Sequence, residues 1–298
     1  MTGTLEVKSG PVPFIAKLLV KLLAQIKGSD KQKKTIRQTL EKDISRLKAD
    51  INLLLSDGLK KLRQKLPQYK GFLIIFDNLD RVPPDVGRHL FFDYASQIQE
   101  LNCTIIYTVP ISVIYSGQNL SNSFNSPNIV PMVNIYQFDR NSCDLDYVQE
   151  GLEAVASMIE RRVEIAAVFG SRQQLIDLAK VSGGHIRQLM QLMRTACLTA
   201  STRNHDKITD EDITYAIKQE QFNFERFIPT PHYAVLAQVC LTKDITQDEV
   251  GQQLLFNTSA LEYNGNSRWN YINPLVKQSD AFQKALQAAQ AGSTILST

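Results

Sequence analysis

Two acidic residues close an apolar run in the first third of the chain. The run is Phe72–Phe76, Asp77 ends it, and Asp80 follows three positions later. A continuous apolar run of this length is typical of a strand buried on both faces of a parallel sheet. Such a strand delivers a carboxylate to the carboxyl edge of the sheet, where it can hold Mg²⁺ beside nucleotide phosphates. The alternative is an ordinary buried strand that ends in Asp.

A second apolar run, Cys103–Val109, carries a polar residue near its end. This residue is Thr108, and Pro110 stops the run. Parallel strands end at a common edge of their sheet, so Thr108 is expected close to Asp77. The hydroxyl could contact a bound phosphate there. Alternatively, it caps a turn at the end of the strand.

A pair of glycines precedes an arginine later in the chain. The segment Ser182–Arg187 reads SGGHIR, so Arg187 is expected in the first turn of a helix that begins near Gly184. The planar guanidinium group can bind a phosphate with two parallel hydrogen bonds. A helix start whose arginine pairs with a surface acid is the alternative.

The elements around these residues change type along the chain. Helices are predicted first, then an α/β layer with parallel strands, because strand-like runs alternate with helical patterns. A third apolar run contains a proline and is predicted to be a strand near the sheet edge. The predicted elements are helices 14–27 and 31–66 (ended by Pro67), strand 72–76, helix 83–101, strand 103–109 and strand 129–135.

The second half is predicted to be helical until a terminal hairpin. Thr209 followed by three acidic residues is a helix start signal, with Thr209 as N-cap. Two short strands around Asn264–Gly265 predict the hairpin. The predicted helices are 144–169, 171–181, 184–202, 210–220, 231–242, 246–256 and 279–290, and the predicted strands are 260–263 and 269–272. Helices followed by a hairpin suggest a winged-helix module.

Together, these features resemble a P-loop ATPase of the AAA+/STAND superfamily. Asp77–Arg81 (DNLDR) resembles a Walker B segment of STAND and KAP-type ATPases, Thr108 stands where sensor 1 belongs, and SGGHIR resembles sensor 2 of origin-recognition ATPases. The resemblance covers about residues 70–298. It implies an α/β partial P-loop NTPase domain (1–140), an α-helical lid (141–221) and a winged-helix-like C-terminal domain (222–298).

The resemblance also implies roles and cofactors. The cofactors are ATP and Mg²⁺. Asp77 would hold the metal, Asp80 would position or activate water, and Thr108 and Arg187 would contact phosphate. Asn78 occupies the position where AAA+ proteins usually carry a catalytic glutamate.

A Walker A motif is missing from the sequence. None of the fourteen glycines is followed by lysine, whereas the motif needs Gly-Lys to cradle and pair with phosphates. We therefore expect the first strand and P-loop of the ATPase fold to be absent from this chain, and ATP binding by the chain alone to be poor. Two explanations remain open: a C-terminal piece of a longer ATPase, or a natural remnant without ATP hydrolysis.

Composition excludes several classes of protein. The sequence has 43% hydrophobic and 21% charged residues, typical of globular proteins. The four cysteines form no C-x-x-C pair and the four histidines no H-E-x-x-H pattern, so neither a zinc ribbon nor a zincin is indicated. The apolar stretch Phe14–Ile26 is too short to span a bilayer and is interrupted by Lys17 and Lys21. We expect a cytoplasmic protein with free thiols.

The charged residues are unevenly distributed along the chain, and their distribution indicates which class of partner the protein binds. Residues 1–70 hold sixteen basic and six acidic residues, whereas residues 222–298 hold five and six. A tail without basic excess is a weak DNA binder. We therefore expect a protein partner or self-association. Besides the ATPase fragment, two functions stay open: a non-enzymatic interaction or regulatory protein, and a nucleic-acid-binding accessory protein that uses the basic N-terminal helices.

Overall fold

The computed structural model describes residues 44–265 and 267–295. The predicted helix 14–27 and the first part of helix 31–66 lie outside the described residues. The described part of the chain divides into two compact units, and each is described by itself: one comprises residues 44–80 and 89–109, the other residues 81–88, 110–265 and 267–295. The three-domain division at 140 and 221 stays a prediction.

The first unit contains a long helix and two parallel strands. Helix α1 spans Ile44–Lys65, and Pro67 follows its end as predicted. Strand β1 spans Leu73–Phe76, and strand β2 spans Thr104–Tyr107. They pair in parallel with Leu73 opposite Thr104 and Phe76 opposite Tyr107. Both predicted strands and their relative direction are therefore confirmed.

The two faces of this strand pair differ in burial. On one face, Phe76, which is still 41% exposed, stacks on Tyr107 with ring centroids 5.3 Å apart, and Phe91 meets Tyr107 edge-on. On the other face, Leu73, Ile75 and Ile106 are 58%, 60% and 49% exposed. We call this second surface (Leu73, Ile75, Ile106) the bare face. The prediction of a strand buried on both faces was wrong, because no described element covers the bare face.

The segment between the strands is less regular than the single helix predicted over 83–101. Helix α2 spans Pro84–Arg88, a π-helical turn spans His89–Asp93, and helix α3 spans Ala95–Gln99. In the π turn, the imidazole of His89 contacts the carboxylate of Asp93 at 2.8 Å. The turn also buries Phe91 against the strand pair.

Residues 129–135 form no strand, contrary to the prediction. Pro131 has no N–H to give to a sheet, and the next two N–H groups bond elsewhere. Met132 donates to the carbonyl of Glu262 at 3.0 Å, and Val133 donates to the carbonyl of Gly184 at 3.2 Å. The segment is therefore an extended connection held by the second half of the chain.

The second unit is built from helices and one antiparallel hairpin. The hairpin strands β3 (Ala260–Tyr263) and β4 (Trp269–Ile272) have the predicted bounds and pair Tyr263 with Trp269. The helices are α4 Ile111–Ile114, α5 Gln149–Glu160, α6 Ile165–Val168, α7 Arg172–Val181, α8 Ile186–Thr202, α9 Asp210–Phe227, α10 His232–Thr242, α11 Glu249–Phe256, α12 Pro274–Lys277 and α13 Asp280–Ile295.

One hydrophobic core runs through this unit. It contains Leu152, Leu178 and Leu189 from the helices before residue 221, and Leu236, Trp269 and Phe282 from the tail. All of these side chains are at most 2% exposed. The helical block and the tail therefore pack as one body.

Helix α9 shows why the sequence signals in this region were informative. Thr209 is its N-cap, and the side chain of Asp212 reaches back to the Thr209 N–H at 3.0 Å. Asp212 also accepts from Arg203 at 3.0 Å and contacts His205 at 2.8 Å. Burial raises the pKa of this carboxyl, but the hydrogen bonds from His205 and Thr209 outweigh burial and hold the pKa well below its usual range.

The described residues contain neither a membrane-crossing helix nor a cluster of metal-binding side chains. Within that part of the chain, none of the helices combines the length and apolar character that a membrane crossing requires. The same residues contain no cluster of three or more His, Cys, Asp or Glu side chains able to hold a metal ion.

Candidate functional site

The predicted acidic residues and Thr108 meet at one end of the strand pair. Because Phe76 is opposite Tyr107, the residues that follow, Asp77 and Thr108, lie at the same carboxyl edge. The N–H of Thr108 donates to the carbonyl of Phe76 at 3.1 Å, which extends the ladder to this edge. The strand register thus brings together the residues that the sequence selected.

Asp77 begins a tight turn. Its carboxylate accepts a hydrogen bond from the N–H of Asn78 at 2.7 Å. Asn78 has a φ of 63°, in the left-handed region that asparagine tolerates better than most residues. A short 3-10 helix, Leu79–Arg81, follows. Asn78 therefore serves the turn geometry, and its side chain is exposed to solvent.

The hydroxyl of Thr108 organises the same turn. It accepts from the N–H of Leu79 at 3.0 Å and from the N–H of Asp80 at 3.3 Å. It can also donate to the carbonyl of Phe76 at 3.3 Å. A hydroxyl has one donor and two acceptor positions, so these contacts use its full capacity. The observed contacts are those of the turn-capping alternative.

The two carboxylates differ in access to solvent. Asp77 is exposed and Asp80 is half-buried. An exposed carboxylate at a sheet edge suits a hydrated Mg²⁺, which keeps several waters and takes one or two protein ligands. The triphosphate has no comparable cradle, because no glycine of the sequence is followed by lysine. The residues present therefore fit a loosely held cation and do not fit a tightly bound nucleotide.

Arg187 belongs to the second unit. It is exposed and is the second residue of helix α8. The glycine pair before it forms a left-handed turn, with φ of 62° at Gly183 and 76° at Gly184. The predicted glycine-dependent entry to the helix is confirmed. The structure therefore distributes the predicted site residues over both units: Asp77, Asn78, Asp80 and Thr108 in the first, and Arg187 in the second.

The glycine turn has partners that the sequence analysis missed. The hydroxyl of Tyr263, 80 positions away, donates to the carbonyl of Gly183. A β-carbon added at Gly184 would lie only 2.0 Å from the carbonyl oxygen of Val133, which is too close for any side chain. The glycine pair was the sequence signal for a close approach, but no local pattern identifies residues so distant.

His185 is the N-cap residue of helix α8, and the pKa of its imidazole is shifted. Burial, and next the positive charge of Arg187, lower the pKa of its imidazole to about 4. Within the described part of the chain, its Nδ1 is buried without a hydrogen-bond partner. The imidazole beside the phosphate-binding candidate Arg187 is therefore neutral at pH 7.

The structure defines a helix-rich α/β protein with a parallel strand pair that ends in an acidic turn, and an antiparallel hairpin. No protein-family model matches the sequence, and no curated protein is similar to it. A solved structure, the ORC2 protein of Aeropyrum pernix in ADPNP–ADP complexes, superimposes with a TM-score of 0.33 and 11% identity. The superposition covers 79% of this chain and 70% of that chain, and it is too weak to transfer a function.

Proposed function

We propose that this chain is the C-terminal portion of an AAA+/STAND-like ATPase and acts as a nucleotide-dependent switch or assembly element. The supporting observation is the parallel register that brings Asp77 and Thr108 to one sheet edge. In this proposal the chain alone has weak or no ATP hydrolysis, because it has no phosphate-binding glycine loop. Its place in a cell would be the cytoplasm.

The residue roles in the proposal follow the chemistry of each side chain. Asp77 would hold Mg²⁺ through water, and Asp80 and Asn78 would position the surrounding waters. Thr108 and Arg187 would contact phosphate in the intact ATPase. The Thr108 hydroxyl would have to leave the N–H groups of Leu79 and Asp80 to do so, which would release the acidic turn. Phosphate contact and loop movement would then be coupled.

The tail is the second part of the proposal. In this proposal the order α10, α11, β3, β4 is that of a winged-helix-like module. Residues 222–298 carry no basic excess. Non-specific DNA affinity depends mainly on neutralising phosphates. We therefore propose a packing or protein-contacting role for this tail.

A second candidate function is a non-enzymatic interaction protein that keeps the ATPase-like fold. It is favoured by the bare face, because both faces of a parallel sheet are normally covered. Three large apolar side chains at about half exposure are a typical feature of surfaces that meet another protein. For both candidates we propose a protein partner or self-association.

Two measurements on the purified chain test the first proposal. Mn²⁺, a paramagnetic substitute for Mg²⁺, is added while the amide NMR signals are recorded. We expect broadening at Asn78 and Asp80 that Asp77→Ala abolishes, whereas Asp85→Ala, which removes an exposed carboxylate elsewhere, leaves it unchanged. Uniform broadening without dependence on Asp77 would contradict the metal-binding role of Asp77 and favour the interaction protein.

The second measurement is a titration with a fluorescent ATP analogue, with and without Mg²⁺. We expect no saturable binding by the chain alone, since a single carboxylate cannot replace a ring of backbone amides and a lysine. Mg²⁺-dependent saturation that Asp77→Ala removes would contradict the proposal that this chain lacks a complete nucleotide site.

A further inference from the structure

The segment Ser142–Asp144 is fixed to the tail by an unusual number of donors. The carbonyl of Cys143 accepts hydrogen bonds from the Tyr271 hydroxyl, from Lys277 Nζ at 2.8 Å and from Cys240 Sγ at 3.5 Å. Lys277 Nζ also contacts the Asp144 carboxylate at 2.5 Å. This short stretch of irregular backbone is therefore held by side chains of α10, β4 and α12.

Two cysteines meet at this anchor. Cys240 is fully buried on α10, and Cys143, 97 positions earlier, is half-buried. The Cys143 thiol is close enough to contribute to the raised pKa of the Cys240 thiol. Both are free thiols in the structure. A disulfide needs β-carbons about 3.5–4.5 Å apart. The Cys240 thiol already lies 3.5 Å from the backbone carbonyl of Cys143, so the two residues are neighbours in space.

Two ammonium groups adjoin the cysteine pair. Lys243 is fully buried, its Nζ donates to the carbonyls of Ser142 (2.7 Å) and Cys240, and it lies 5.1 Å from the centre of the Tyr271 ring. Burial raises the pKa of the Cys240 thiol to about 12, while the charges of Lys277 and Lys243 oppose this rise. The lysines therefore offset only part of the effect of burial, and the Cys240 thiol keeps its proton at neutral pH until it reacts.

We propose that Cys143 and Cys240 are a redox-sensitive pair that closes to an intramolecular disulfide when the protein meets a small-molecule disulfide such as oxidised glutathione. The thiolate of the more accessible Cys143 attacks one sulfur of the small disulfide. One glutathione leaves as its thiolate, and a mixed disulfide remains on Cys143. Cys240 then loses its proton, and the resulting thiolate attacks the Cys143 sulfur and releases the second glutathione. Two protons leave the protein thiols, the cysteines are oxidised, and the small disulfide is reduced.

The bond would turn a non-covalent anchor into a covalent one. It would close a long loop that includes α5 to α9, and restricting the unfolded chain in this way stabilises the folded state. For a loop of about 100 residues, we expect the thermal midpoint of the second unit to rise by roughly 10 °C. Reduction would reverse the rise.

The test uses the full chain, reduced and then incubated with oxidised glutathione. Remaining thiols are blocked with N-ethylmaleimide, and the intact mass is measured. We expect two fewer blocked thiols, a mass loss of about two hydrogens and a peptide that links Cys143 to Cys240. Cys103→Ser and Cys197→Ser, which remove the two other cysteines, should leave this product unchanged.

Cys143→Ser is the decisive variant because its side chain is only half-buried. In this variant we expect no linked peptide and no rise in the thermal midpoint under oxidation. A mixed disulfide that persists on Cys143 of the wild-type chain, or a link between other cysteines, would overturn the proposal. So would a wild-type chain that stays fully reduced under conditions that modify the exposed Cys197.

Substitution of a lysine beside the cysteine pair provides a second measurement, the rate of disulfide closure. Lys277→Gln should slow the closure step severalfold while the mixed disulfide still forms on Cys143, because the Cys240 thiolate loses a neighbouring charge. Lys284→Gln, on an exposed position of α13, is the matched control. Equal closure rates in both variants would exclude a positioning role for Lys277.

Discussion

The backbone of Val133 lies against the α-carbon of Gly184. Its N–H donates to the Gly184 carbonyl at 3.2 Å, and its own carbonyl occupies the place that a β-carbon would take. Gly184 also has a φ of 76°, which residues with a β-carbon rarely adopt. Two independent constraints therefore select glycine at this one position.

Gly184→Ala is expected to destabilise the second unit strongly. The substitution strains the backbone and forces the 133–135 connection away, so we expect a loss of at least about 2 kcal/mol in the free energy of unfolding. Urea unfolding followed by the fluorescence of Trp269, the single tryptophan, measures this loss. Gly265→Ala is the control, because its β-carbon would meet nothing within 4 Å. Equal stability of the two variants would contradict the close approach.

Acid is expected to weaken the second unit through His185. The pKa of its imidazole is about 4 in the folded protein, below the ordinary value. The unfolded chain therefore binds a proton first as the pH falls, and stability is lost between about pH 6.5 and 4. His185→Gln should remove about 2–3 kcal/mol of this loss between pH 7 and 4.5, since each pKa unit corresponds to about 1.4 kcal/mol.

The measurement for His185 is urea unfolding of both proteins at the two pH values. Comparing the pH-induced change in each protein cancels the cost of the substitution itself. Carboxyl groups that titrate in the same range contribute equally to both proteins. An identical loss in wild type and His185→Gln would show that the buried imidazole is not the sensitive group.

Removing the hydroxyl of Thr108 is expected to loosen the acidic turn. Thr108→Val leaves the N–H groups of Leu79 and Asp80 without their acceptor, at a cost of about 1–2 kcal/mol in local stability. Hydrogen exchange should accelerate at those two amides. Thr104→Val changes an exposed threonine of the same strand and should leave both rates as they are. Unchanged exchange in Thr108→Val would mean that the turn is held by other contacts.

The two faces of strand β1 should respond differently to a polar residue. Ile75→Ser acts on the bare face, where the side chain is already 60% exposed, so we expect a loss under about 1 kcal/mol. Ile74→Ser acts on the half-buried face and should cost about 2 kcal/mol. Exchange of the Thr104 and Thr108 amides, which bond to carbonyls of the first strand segment, reports both losses.

Ile75→Ser is also expected to weaken association. If the bare face contacts a second copy of the chain, size-exclusion chromatography should show less self-association for Ile75→Ser than for Ile74→Ser. If it contacts another protein, Ile75→Ser should bind less of that partner than Ile74→Ser does. A variant that associates as the wild type does would exclude Ile75 from the contact.

Local signals in the sequence predicted much of this fold. The Thr209 cap and the glycine pair each specify a backbone conformation within a few residues, and the structure has both. The strands on either side of Asn264–Gly265 pair as the predicted hairpin. The apolar runs 72–76 and 103–109 predicted two parallel strands for the same reason. The apolar character of a strand does not show which other elements pack on its two faces, however. The exposure of Ile75 could therefore not be predicted.

The remaining errors concern contacts over long distances in the chain. The run 129–135 has the composition of a strand, but its N–H groups bond to Glu262 and Gly184. The candidate site shows the same limit. Its residues could be selected because they follow the ends of predicted strands. The hydrogen bonds from the Leu79 and Asp80 amides to the Thr108 hydroxyl could not be predicted, because these residues are 29 and 28 positions from Thr108 in the chain.

The shared core of the second unit limits how this protein can be recombined. Because side chains before residue 221 and side chains of the tail interdigitate, a chimera that exchanged residues 232–295 alone would combine two halves of different cores. Exchange boundaries that respect the packing lie where the chain enters the unit, near Pro110. The described residues on both sides of residue 221 in this unit therefore have to be exchanged as a single block.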